Sequence, residues 1–119
     1  MAATMFERYG GFAKVSRIVS EFYDRVLDSS ILRPYFEDVD MQSLVDHQTK
    51  FVASLMGGPA SYTNEALQRI HARLGVTDEA FMEMLNIFRE TLEDLGIAEG
   101  DVSTVYRDMM SRKPFIVSK

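Results

Sequence analysis

The chain has 119 residues, no cysteine and a formal net charge of −5. That length suits one domain, residues 1–119, and the missing thiols exclude disulfides, thiolate metal sites and cysteine nucleophiles while fitting a reducing, cytoplasmic setting. The acidic balance argues against a general affinity for nucleic acid or anionic lipid, no run approaches the ~20 apolar residues of a membrane span, and the N-terminal stretch lacks the apolar core of a signal peptide.

In chain order, residues 5–9 read as a short helical turn stopped by Gly10-Gly11. From Phe12, the apolar positions Val15, Val19, Phe22, Tyr23 and Val26 recur at helical spacing as far as Leu27. Tyr23 lies on that inward stripe, where a phenol needs something polar; a backbone carbonyl or the surface is the simplest solution. Asp28-Ser29-Ser30 breaks the helix, and residues 31–36 form a bend, with Pro34 at the start of a helical turn and Tyr35-Phe36 as a bulky plug. Asp40 caps a helix over residues 41–56, whose inward face reads Leu44, His47 or Gln48, Phe51, Val52 and Leu55.

Met56-Gly57-Gly58-Pro59 ends that helix, and a loop through Ser61 and Tyr62 comes next. Over residues 63–75 Leu67, Ile70, His71 and Leu74 fall at i, i+3, i+4 and i+7, one face of a helix. Thr63 or Asn64 caps its start, Gly75 suits the left-handed position just past its end, and Glu65, Gln68, Arg69, Ala72 and Arg73 occupy the other sides. Thr77 caps the next helix, with Phe81, Leu85, Phe88, Leu92 and Leu95 inward, Met82 and Met84 flanking, and Gly96 at its end. Asp101 caps a last helix carrying Val102, Val105, Tyr106 and Met109 inward; Pro114 stops it, and the final five residues are too short to place. No strand-like alternation occurs. The fold class is all-α, punctuated more loosely than an up-and-down four-helix bundle.

Two histidines therefore interrupt apolar stripes on two helices. Burying an imidazole without a partner costs roughly 1–3 kcal/mol, so each needs a hydrogen bond, a ligand or a path to solvent. A core histidine bonded to a backbone carbonyl is the plain account of His71, and His47 can reach solvent at the edge of its stripe. Zinc would need carboxylates besides, and no HExxH or paired-histidine spacing supplies them. A di-iron bundle needs a glutamate three residues before each histidine, where Leu44 and Gln68 stand instead. The remaining option is one metal-ligating imidazole, or two facing ones, in an apolar pocket with a tyrosine hydroxyl and a glutamine amide. Haem fits that set better than a bare ion, since its iron needs one imidazole and its porphyrin wants apolar walls.

The segments FERYGG, FYDRVL, YFEDVDM, HQTKF, LMGGP, YT and IHARLG occur in an order and spacing that resemble the group I truncated haemoglobins. The likeness runs from about residue 5 to residue 96 and weakens in the last helix. It implies a short globin-like fold, a 2-on-2 helical sandwich around haem b. By resemblance His71 is the proximal iron ligand, Tyr23 the distal donor to bound O2, and Gln48 its assistant, with Leu44 where other members carry a polar residue. The haem-contacting set is Phe36, Leu44, His47, Phe51, Leu67, His71, Leu74 and Phe81. His47 matches a position that contacts a propionate or reaches the iron as a sixth ligand. Gly10-Gly11 and Gly57-Gly58 match the glycine pairs that close the shortened frame. Some cyanobacterial members attach haem covalently through a histidine near the C-terminus; this chain has none after His71. Tyr35 stands where phenylalanine is usual.

The function expected from the likeness is reversible binding of O2, NO and CO at haem, with NO dioxygenation if an external reductase supplies electrons. A six-coordinate sensor or electron-transfer protein is the second reading, and a haem-free helical interaction module the third.

Overall fold

Thr4 and Glu7 close on each other to begin helix α1 (Met5–Arg8): the Thr4 hydroxyl accepts from the Glu7 amide at 3.1 Å, and the Glu7 carboxylate accepts from the Thr4 amide at 3.2 Å. This reciprocal cap satisfies amides that a first turn leaves without partners. The structure, a computed structural model, describes residues 3–58, 63–72 and 74–118. Pro59, the loop through Ser61 and Tyr62, Arg73 and the inward side chain expected of Ile70 lie outside the described residues.

Gly10 and Gly11, with φ of +103° and +71°, turn the chain from α1 into α2 (Gly11–Leu27). Helix α2 buries Val15, Ile18, Val19, Phe22, Tyr23 and Val26, the expected stripe with Ile18 added. A 3-10 turn (Arg33–Phe36) with Pro34 near its start leads to α3 (Met41–Leu55), capped by Asp40 through the amides of Gln42 and Ser43. Helix α4 (Asn64–His71) is capped by Thr63, and α5 (Asp78–Asp94) by Thr77. Helices α6 (Glu99–Ser111) and α7 (Lys113–Ile116) complete the described chain. No strand occurs among the described residues, and no helix of theirs is long and apolar enough to cross a membrane.

Helix α2 packs on α3 and on α5, and α5 packs on α6. The frame is thus two helix pairs, α2 with α3 and α5 with α6, set one over the other. Ile18, Val19, Leu85 and Leu92, each no more than 1% exposed, fill the space between them.

Three local expectations are corrected. Helix α4 ends at His71, not near Gly75: the Leu74 amide closes a turn on the His71 carbonyl at 3.0 Å, and Leu74 is 47% exposed. Gly75 has the left-handed φ expected of it, +62°, but as part of the loop after the helix. Asp101 does not cap α6, which starts at Glu99 behind an Ala98 that makes no side-chain cap. Its carboxylate instead accepts from the Tyr9 hydroxyl at 2.7 Å and from the Arg8 guanidinium at 3.0 Å, tying α1 to α6. Those two bonds, Arg8's first, hold the Asp101 carboxyl below its usual range. Pro114 does not merely stop α6: it sits in the first turn of α7, where a missing N–H costs nothing.

The end of α3 shows why glycine is needed there. Gly57 has φ +83°, and the Gly58 amide bonds the Ala53 carbonyl at 2.8 Å. A Cβ on Gly58 would stand 2.8 Å from the Ala53 carbonyl oxygen and 3.1 Å from the Phe6 ring, which is itself held by the Phe6 amide on Met56. Gly58→Ala is expected to destabilise the protein by about 1–3 kcal/mol in chemical denaturation, the usual range for overpacking. Gly100→Ala, where a Cβ meets nothing within 4 Å, serves as the control and is expected to be neutral or stabilising.

Candidate functional site

A cavity of about 490 Å³ opens between the helix pairs and α4. Helix α2 contributes Phe22, Tyr23 and Val26 to it, the 3-10 turn Tyr35 and Phe36, and α3 Leu44, His47, Gln48, Phe51 and Val52. The lining is continued by Leu67 and His71 of α4, Leu74 and Val76 of the loop, and Phe81, Met84 and Phe88 of α5. All of the candidates read from the sequence therefore meet on one cavity: Tyr23, Phe36, Leu44, His47, Gln48, Phe51, Leu67, His71, Leu74 and Phe81. Leu74 joins them from a turn rather than from a helix face.

Helical spacing puts His71 one turn after Leu67. Its Nδ1 lies 2.8 Å from the Leu67 carbonyl oxygen. A carbonyl only accepts, so Nδ1 carries a proton and donates, and Nε2 is the nitrogen that can offer a lone pair. The plain sequence reading, a histidine bonded to a backbone carbonyl, describes this contact correctly. It also describes a ligand, because a metal-binding imidazole is oriented by such a bond from its other nitrogen.

On the same cavity Tyr23 is 9% exposed, its ring edge-on to Phe22 at 4.8 Å and to Phe36 at 5.7 Å. Its hydroxyl makes no hydrogen bond among the described residues, neither to a backbone carbonyl nor to a side chain. No fully buried side-chain nitrogen or oxygen of the described residues is left without a partner. Tyr23 borders both the cavity and a more polar groove between α2 and α3 that carries Ser20, Asp24 and Asp46. Burial pushes the phenol well above the usual tyrosine range, so it stays protonated at neutral pH and has an O–H to donate to an acceptor placed there.

Gln48 is half-buried, whereas His47, one residue earlier on α3, is exposed. Two adjacent helical residues point about 100° apart, and here the amide is the more inward of the two. The Phe51 wall is backed by the Arg112 guanidinium, 5.6 Å above its ring and bonded to Asp108 at 3.0 Å.

No carboxylate lines the cavity, and no group of three metal-ligating side chains occurs among the described residues. A bare ion would find one good ligand here and little else. A metal that brings its own equatorial ligands inside a flat apolar group would find an axial nitrogen, aromatic walls and a hydrogen-bond donor.

The model of the bacterial-like globin family matches residues 4–115 of this chain. A group 1 truncated haemoglobin of Synechocystis is 30% identical over 107 residues, covering 87% of this chain and 86% of that protein. The chain belongs to this family, the truncated haemoglobins of the bacterial-like globins. A group 1 truncated haemoglobin of Mycolicibacterium paratuberculosis is 29% identical over 103 residues, covering 87% of this chain and 76% of the relative. The truncated haemoglobin of Tetrahymena pyriformis in its Fe(III) form superposes with a TM-score of 0.87 at 23% identity, over 98% of this chain and all of that one. A 2/2 haemoglobin of Synechococcus with covalently attached haem gives a TM-score of 0.88 at 23% identity, over 98% of this chain and all of that one. The two-over-two frame is therefore the 2-on-2 globin fold, and haem iron is the cofactor of the family. Haem-based binding of diatomic ligands is the family's chemistry, and the haem-free module is set aside.

Several cavity residues carried no site expectation. Leu32, Met84, Met109 and Ile116 all line the space. Met84 and Met109 were visible only as members of long apolar faces, and nothing in a stripe marks which member meets a ligand. Ile116 had a usable signal: Pro114 followed by Phe115-Ile116 is a helix start that brings an apolar pair back to the core.

Proposed function

We propose that this globin binds haem b through Nε2 of His71 and holds O2 on the opposite side with Tyr23 and Gln48. The observation that carries the reading is the Nδ1 contact with the Leu67 carbonyl, which leaves Nε2 as the nitrogen for the iron. Phe36, Leu44, Phe51, Leu67, Leu74 and Phe81 supply the apolar walls that hold the porphyrin and keep bulk water out. Haem iron, when bound, supplies reversible coordination of O2, NO or CO. Tyr23 then acts as the donor to whichever ligand gathers negative charge, and Gln48 either donates as well or steadies the phenol.

NO dioxygenation belongs to the same reading. One O2, one NO and one electron combine to a nitrate ion, so each turnover needs an electron from a donor outside this chain. With haem and O2 bound, Tyr23 would favour that chemistry by donating its O–H to the ligand.

A second reading gives His47 a role. It borders the cavity, is exposed, and makes no hydrogen bond among the described residues, so its ring is free to move. A rotation of α3 brings it toward the iron, and we assign it as the sixth ligand of the ligand-free protein. The ferrous protein without added ligand should show sharp, split visible bands that collapse in His47→Ala. A broad five-coordinate band in the wild type, unaltered by the substitution, would leave His47 as a propionate or rim residue.

The O2 assignment is tested by Tyr23→Phe, which keeps the ring and removes only the donor. A hydrogen bond to a charged ligand is worth about 1.5–3 kcal/mol, so O2 dissociation should speed up roughly ten- to a hundredfold. CO, being less polar when bound, should change far less. An unchanged O2 rate would mean that the hydroxyl faces the groove between α2 and α3.

A further inference from the structure

His71 is the last residue of α4, so the chain beyond it has no helical ladder to hold it. Nδ1 is fixed by Leu67, but that bond lies within the same final turn and would move with it if the helix end frayed. The chain then makes a tight turn, closed by the Leu74 amide on the His71 carbonyl, and runs on through Gly75 and Val76. Two groups from distant parts of the chain grip this loop. The Tyr35 hydroxyl, from the 3-10 turn on the distal side, donates to the Gly75 carbonyl at 3.4 Å. The Ser118 amide, beyond α7, donates to the Val76 carbonyl at 3.0 Å. Helix α7 itself packs against α4, with Ile116 buried against the cavity and Lys113 paired with Asp78 at the start of α5.

We propose that Tyr35 and the Ser118 backbone N–H are positioning groups for His71: they clasp the loop behind it from both sides and thereby set how firmly its ring is held toward the haem. The proposal rests on His71 as the iron ligand. Phenylalanine at position 35 would keep the ring and lack one arm of the clasp. The C-terminal segment supplies the other arm without forming a covalent bond to the cofactor.

The test uses the haem-loaded full chain in a His47→Ala background, so that no second imidazole competes for the iron. Tyr35→Phe removes one donor and keeps the ring. Ser118→Pro removes the other donor, and Val117, at φ −74° and ψ 126°, already has the backbone conformation preferred before proline. Haem transfer to excess apomyoglobin and the iron–histidine stretching band of the ferrous protein are measured for each variant and for the pair. Each single substitution should speed haem loss about two- to tenfold, the range for one hydrogen bond, and shift or broaden the band. The double variant should exceed either one. Haem loss and band both unchanged, with only thermal stability lowered, would overturn the proposal and leave the clasp as ordinary fold stabilisation. A wild-type band that survives His71→Gly would instead overturn the ligand assignment beneath it.

Discussion

The hydrogen bond between Nδ1 of His71 and the carbonyl of Leu67, one helical turn earlier, settles the ring's tautomer and its direction together. With the proton on Nδ1, the only remaining lone pair is on Nε2, and the residue lines an apolar cavity. A buried imidazole could have been satisfied by a second protein partner. Here no carboxylate among the described residues stands on the cavity wall to take that place. One backbone bond thus orients the ring toward the proposed ligand role, as a metal-binding imidazole is oriented through its other nitrogen.

The rest of the frame brings Tyr23, whose hydroxyl has no hydrogen-bond partner among the described residues, to the same cavity as that imidazole. Tyr23 and Gln48 come from the α2–α3 pair, His71 from the short α4, and the floor from α5 and the C-terminal segment. So small a set of helices closes only where backbones approach closely. The Gly58 contact with Ala53 and Phe6, and the reciprocal Thr4–Glu7 cap of α1, are such places. The Asp101 carboxylate then fastens α1 to α6 across the outside of the frame. The Tyr23 hydroxyl, by contrast, fastens nothing among the described residues.

Much of this was legible in the residues because amphipathic periodicity is a local property. Val15 to Val26 on α2 and Phe81 to Leu92 on α5 are buried as their spacing requires. Asp40, Thr63 and Thr77 cap the helices they precede. Periodicity overran at α4, where Leu74 continues the pattern although the helix has ended. Three further residues fit an i, i+7 stripe equally well in a tight turn, and only tertiary contacts choose. Asp101 misled for a related reason. A carboxylate near a helix start caps it or bonds elsewhere, and here Arg8 and Tyr9, more than 90 residues away, compete successfully for it. The orientation of His47 against Gln48 was open in the sequence because adjacent residues share a stripe edge. The fold turns Gln48 further inward.

The most direct measurement is the absorption spectrum of His71→Gly, expressed with haem and recorded with and without added imidazole. Glycine removes the side chain and leaves a space the size of the lost ring, while the apolar walls and Tyr23 stay in place. The account predicts weak haem retention and loss of the wild-type Soret and visible bands, both restored when free imidazole enters the space. A His71→Gly protein that keeps the wild-type spectrum and retains haem without imidazole would contradict it.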